Sequence, residues 1–126
     1  MKKNNKIVWM DIPVENLERA TKFYSGLMAT EFSIEEFGNT RFALCPHSDD
    51  ESAFYLSVVD KFQVTPQNVS LPLIYLNVNG RMEDALNEVN RLGGKILENI
   101  NQIGPYGFRA IIIDSENNKI ALHSQS

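Results

Sequence analysis

Two histidines, one cysteine and one tryptophan carry much of the chemistry open to this 126-residue chain. His123 ends an apolar stretch, Lys119–His123, and Asp11 lies inside another, Ile7–Val14. A carboxylate beside an imidazole raises its basicity, so His123 and Asp11 are the candidates for a general acid–base pair. The plainer fate of His123, three residues from the C-terminus, is solvation or a backbone hydrogen bond. Trp9 stands two residues before Asp11, on the same face of any strand they share, and offers a flat surface to an aromatic or cationic ligand. It serves equally well as filler. Tyr55, Tyr75 and Asn77 bring hydroxyl and amide groups, and Arg109 and Arg41 bring forked donors suited to an anion. For the tyrosines the alternative is packing, and for the arginines it is surface solvation. Cys45 has no base near it in sequence, which leaves a buried, unreactive thiol. His47 and the acidic run Asp49-Asp50-Glu51 fall in a polar loop and read as solvated groups.

These residues sit on a repeated order of elements. Ile7–Val14 reads as a strand. Asn16 is then a helix N-cap, followed by an apolar stripe of Leu17, Ala20, Phe23 or Tyr24, and Leu27, with Glu18 and Lys22 as an outer i,i+4 pair. Phe32–Phe37 and Thr40–Cys45 flank Gly38-Asn39 as a hairpin, and Ala53–Val59 is a fourth strand. Asp60–Pro72, with Pro66 and Pro72, reads in part as a connector. The order then restarts. Leu73–Val78 is a strand, and Met82, Ala85, Leu86, Val89 and Leu92 form a second helical stripe closed by Gly93-Gly94. Lys95–Ile100, Phe108–Ile113 and Lys119–His123 are strands, with Gly104–Gly107 as a rim loop. Strand alternation turns Met10, Ile12 and Val14 toward the first helix and leaves Trp9 and Asp11 on the other face. It likewise leaves Leu73, Tyr75 and Asn77 on one strand, and Lys119, Ala121 and His123 on the last, away from the second helix.

The expectation is an α+β protein of two βαβββ modules, about residues 6–60 and 71–124, within a single domain spanning 1–126. A formal charge of −4 provides no basic face for nucleic acid. No apolar run reaches the ~20 residues of a membrane helix. The basic start leads only into a strand-like stretch, so a cytoplasmic protein is expected. A single cysteine excludes an internal disulfide.

Three stretches together resemble the vicinal-oxygen-chelate superfamily of glyoxalases, extradiol dioxygenases and bleomycin-resistance proteins: Trp9–Tyr24, Leu92–Ile96 and Gly107–Ser124. The resemblance implies that each module forms a half-open sheet and that the paired sheets wrap a cavity. Enzymatic members hold a divalent metal there through His, Glu or Gln, and the metal chelates neighbouring substrate oxygens. Carried onto this sequence, the ligand positions fall on Trp9, on Leu73 or Ile74, on Ala121 and on Tyr55. An indole, alkyl groups and a phenol do not make a metal site. The resemblance therefore implies a small-molecule-binding protein of the bleomycin-resistance kind, with no metal ligands and no cofactor expected. Its ligand-binding residues would be Trp9, Asp11, Tyr55, Tyr75, Asn77, Arg109 and His123. A glyoxalase-like lyase or a dioxygenase with relocated metal ligands is the alternative, so catalysis stays open, and a non-catalytic interaction module is the third. The resemblance also implies a homodimer, with the cavity built within one chain or across two.

Overall fold

The computed structural model describes residues 5–58 and 71–126, so most of the expected connector lies outside the described residues. The chain divides into two compact units, one of the described residues from Trp9 to Pro72 and the other joining Leu73–Ser126 to the described residues before Trp9. Each unit holds one helix and four strands of an open mixed sheet, and the architecture is α+β with two βαβββ modules.

The first module comprises β1 (Ile7–Val14), α1 (Leu17–Met28), β2 (Ser33–Phe37), β3 (Thr40–Leu44) and β4 (Ala53–Val58). Its strands lie in the order β2-β3-β4-β1, with β1 and β4 parallel and the other pairs antiparallel. Asn16 caps α1 as its residue type predicts: its side-chain oxygen accepts the Arg19 amide at 2.9 Å. Leu17, Ala20 and Tyr24 pack on Phe32, Ala43, Phe54 and Leu56. Phe32, Tyr24 and Phe54 meet with ring centroids 5.7–6.5 Å apart.

Of the expected apolar stripe of α1, the choice between Phe23 and Tyr24 falls to Tyr24, and Leu27 is corrected. With Leu17, Ala20 and Tyr24 inward, Phe23 stands 100° round the helix and takes Leu27 with it, one i,i+4 step on. Phe23 is 62% and Leu27 64% exposed. Glu18 also departs from the expected pairing with Lys22. It reaches Arg41 on β3 at 2.7 Å, and the guanidinium holds the carboxyl below its ordinary range.

The second module comprises β5 (Leu73–Asn77), α2 (Met82–Arg91), β6 (Lys95–Gln102), a 3₁₀ turn (Gly104–Tyr106), β7 (Phe108–Ile113) and β8 (Lys119–Ser124). Its strands run β5-β8-β7-β6, with β5 and β8 parallel. Met82, Ala85, Leu86 and Val89 pack on Val78, Ala110, Ile112 and Leu122, as the helical spacing requires. Leu92 lies outside this core at 61% exposed, because α2 ends at Arg91. Gly93, at φ +92°, turns the chain left-handed there, and the Gly94 amide reaches back to the Val89 carbonyl at 2.8 Å. The start of the chain is tied to this module, not to its own: the Asn77 amide donates to the Lys6 carbonyl at 2.8 Å.

Candidate functional site

In the first module the parity of β1 holds. Ile12 and Val14 join the core under α1, and Trp9 and Asp11 take the opposite face. The Trp9 indole N–H donates to Asp11 Oδ1 at 2.7 Å, a pairing that same-face i,i+2 spacing makes possible. Parallel pairing sets Asp11 opposite Tyr55, and the Trp9 and Tyr55 ring centroids lie 4.5 Å apart. Phe42 stacks on the far side of Tyr55 at 5.3 Å with the rings 16° from parallel. Phe42 is a site residue that sequence reasoning misses. The available signal is β3 parity, because with Ala43 in the core its neighbour must face the other way. This face is therefore an aromatic row, Trp9–Tyr55–Phe42, with one carboxylate at its end.

In the second module Tyr75, Arg109 and His123 share the sheet face away from α2. Pairing sets Arg109 opposite His123, His123 opposite Asn77, and Tyr75 opposite Ala121. Arg109 Nη1 donates to the Tyr75 hydroxyl at 2.8 Å, and the guanidinium carbon stands 5.9 Å from the Tyr75 ring centroid. Asn77 uses its side chain locally: the amide donates to the Asn5 carbonyl and the oxygen accepts the Asn79 amide, each at 2.9 Å.

His123 is held by the segment expected to be a rim loop. Its Nε2 lies 2.6 Å from the Tyr106 carbonyl oxygen, and a carbonyl only accepts, so Nε2 carries the proton. Gly107, at φ +97°, lets the 3₁₀ turn pass this closely. A Cβ there would stand 2.6 Å from the Ser124 carbonyl oxygen and 3.4 Å from His123 Nε2. His123 is only 2% exposed. Burial pushes its pKa below the ordinary value of 6.5, against the raising effect of the Tyr106 hydrogen bond. The direction is opposite to the raised basicity expected of an imidazole paired with a carboxylate. A neutral His123 with a lone pair on Nδ1 suits a base or an acceptor, not a cationic acid. Cys45 is half-buried beside the first core, and burial pushes its thiol upward, away from nucleophilic use.

A separate feature also escapes sequence reasoning. The second module carries an open depression of ≈ 440 Å³ lined by Gly80–Asp84, Ile100, Phe108 and Ser126. It lies at the N-terminus of α2, among residues with no sequence signature.

The residues at the resemblance's metal positions do not fit a divalent ion. Trp9 and Tyr55 stack on each other, and Ala121 is fully buried between Tyr75 and Ile111 of the neighbouring strands. Among the described residues no three His, Cys, Asp or Glu side chains gather as a metal site requires.

No protein-family model matches the sequence, and no curated protein does. Solved structures do. Methylmalonyl-CoA epimerase from Mycobacterium tuberculosis superposes with a TM-score of 0.73 at 15% identity, over 100% of this chain and 91% of the epimerase. A single-substitution variant of the Streptomyces coelicolor methylmalonyl-CoA epimerase, in complex with 2-nitronate-propionyl-CoA, gives 0.68 at 15% identity over 97% and 98%. The Mn(II)-bound glyoxalase from Novosphingobium aromaticivorans gives 0.67 at 14% identity over 99% of this chain but only 40% of its own. Identities this low carry the fold alone: this chain has the fold of these epimerase and glyoxalase structures, built from two βαβββ modules.

Proposed function

We propose that this protein binds a small, partly aromatic or apolar molecule without a divalent metal, in the manner of the bleomycin-resistance branch of its fold, and that it does so in the cytoplasm. The observation that carries the reading is the composition of the sheet faces turned away from the helices. The helix-side faces are mainly apolar cores, as stability demands, although fully buried Ser124 shares the Leu122 face of β8. The opposite faces carry half-buried Asp11 and Arg109, bonded to buried Trp9 and Tyr75, and a buried His123. Burying polar groups is costly unless they are hydrogen-bonded, and a packing surface has no need of them. Aromatic walls with a few placed polar groups are the ordinary make-up of a small-molecule site. In the first module Trp9 and Tyr55 offer a stacking surface with Asp11 at its end, and in the second Arg109 and His123 offer polar groups beside Tyr75.

Trp9 is the only tryptophan, so its emission reports this face alone. Because Trp9, Tyr55 and Phe42 are buried within the chain, a ligand must displace side chains on entering and so must perturb the indole. Titration with flat aromatic and acyl-thioester compounds is expected to find one that quenches or shifts Trp9 emission, saturably and with no effect of chelator. A ligand whose calorimetric binding leaves Trp9 emission unmoved, or disappears on chelation, would overturn the reading. The Mn(II)-bound glyoxalase neighbour favours the second reading, a metal-dependent lyase or dioxygenase with relocated ligands. That reading requires chelator-sensitive turnover. A non-catalytic interaction module would show neither response, and Trp9→Ala would leave its partner binding intact.

A further inference from the structure

We propose that Asn79 is a self-modification site, at which the fold promotes conversion of the side-chain amide to aspartate and isoaspartate through a cyclic imide closed by the Gly80 nitrogen. Asn79-Gly80 is the only Asn-Gly pair in the sequence. Glycine places no side chain beside its nitrogen, so ring closure onto the preceding asparagine meets least hindrance there. Both residues are exposed, which lets water in and ammonia out. This chemistry is independent of the ligand reading and uses none of the residues assigned to it.

The end of β8 surrounds the pair with the groups that ring closure needs. Asn79 Oδ1 accepts the Gln125 amide at 2.9 Å, and the Ser124 hydroxyl lies 3.3 Å from it. Both contacts are to the oxygen and leave Nδ2, the departing nitrogen, outside them. The Gly80 amide donates to the same Ser124 hydroxyl at 3.1 Å. Ser124 is fully buried, and its own proton has two acceptors in reach, the Ser126 carbonyl at 2.8 Å and Asn79 Oδ1. One hydroxyl therefore touches the attacking nitrogen and also the oxygen on which charge develops, where the Gln125 amide is a second donor.

The reaction closes without any outside reagent except water. As the Gly80 nitrogen bonds to Asn79 Cγ, its proton passes to Ser124 Oγ and the hydroxyl's proton passes to Oδ1. The tetrahedral adduct then yields that proton to Nδ2, the Cγ–Nδ2 bond breaks, and ammonia leaves. Water opens the imide at either carbonyl. One opening gives aspartate, which keeps an acceptor for Gln125. The other gives isoaspartate, whose extra backbone methylene displaces Gly80 from Ser124 and disturbs the strand end where the Val78 amide meets the His123 carbonyl at 2.9 Å.

The test incubates the full chain at neutral pH, folded and separately in urea, and follows position 79 by peptide mass mapping with isoaspartate detection. The folded chain is expected to convert several-fold faster than the unfolded one, because only the fold brings Ser124 and Gln125 to Asn79. Ser124→Ala should slow the folded chain about tenfold or more and leave the rate in urea unchanged. The isoaspartate product, separated from the aspartate product, should melt at a lower temperature. A folded chain that converts no faster than the unfolded one would overturn the proposal, and that comparison needs no variant to fold. Folded Ser124→Ala converting as fast as wild type, or two products melting alike, would overturn it as well.

Discussion

Gly107 and His123 show how one backbone position sets the state of a side chain. The 3₁₀ turn lies against His123 only because residue 107 has no Cβ and adopts φ +97°. Gly107→Ala should therefore destabilise the fold by about 1–3 kcal/mol, measured by urea denaturation, through strain and a backbone clash. The His123 pKa makes a second prediction. Burial lowers it in the folded chain, so below the unfolded value of 6.5 the unfolded state binds the extra proton. The stability from neutral His123 is complete above pH 6.5 and is lost as pH falls toward the folded pKa. Melting temperature should drop from pH 7 to 5 in the wild type and drop less in His123→Gln. Equal slopes would show that His123 titrates alike in both states. At this scale the sequence shows which residues share a strand face, because alternation is local. It does not show that Arg109 would meet Tyr75, or that Tyr106 would offer its carbonyl to His123, because those contacts span 34 and 17 residues.

Elements are more legible than side chains. The Asn16 cap, the strand limits of β1 and β7 and the αL glycine after α2 follow from residue types that act within a turn of their own position. Asn16→Ala should cost about 1 kcal/mol in thermal or chemical unfolding, because the Arg19 amide loses its acceptor. Leu56→Ala should cost about 2–5 kcal/mol, since Leu56 has no exposed surface and the core of Leu17, Phe32 and Ala43 closes around it. Helix phase is less legible. Leu17, Ala20, Tyr24 and Leu17, Ala20, Phe23, Leu27 fit a helical stripe nearly equally well. Only the sheet beneath decides that Tyr24 goes in and the Phe23–Leu27 ridge goes out.

For the whole chain, the repeated βαβββ order is visible in sequence because each module restates the same series of local patterns, and solved structures at 14–15% identity carry the same fold. Function is less legible for a physical reason. In this fold the chemistry rests on a handful of cavity-facing positions, which can change without disturbing the apolar helix-side faces that specify the architecture. In this sequence the resemblance puts those positions on Trp9, Tyr55, Leu73 or Ile74, and Ala121. If they bind a molecule themselves and hold no metal, elemental analysis will show it, on protein purified without added metal and again after dialysis against Ni²⁺, Zn²⁺, Mn²⁺ or Fe²⁺. No ion should be retained in fixed proportion to protein under either condition. Retention of about one ion per chain would contradict metal-free binding and place metal ligation on carboxylates or His123.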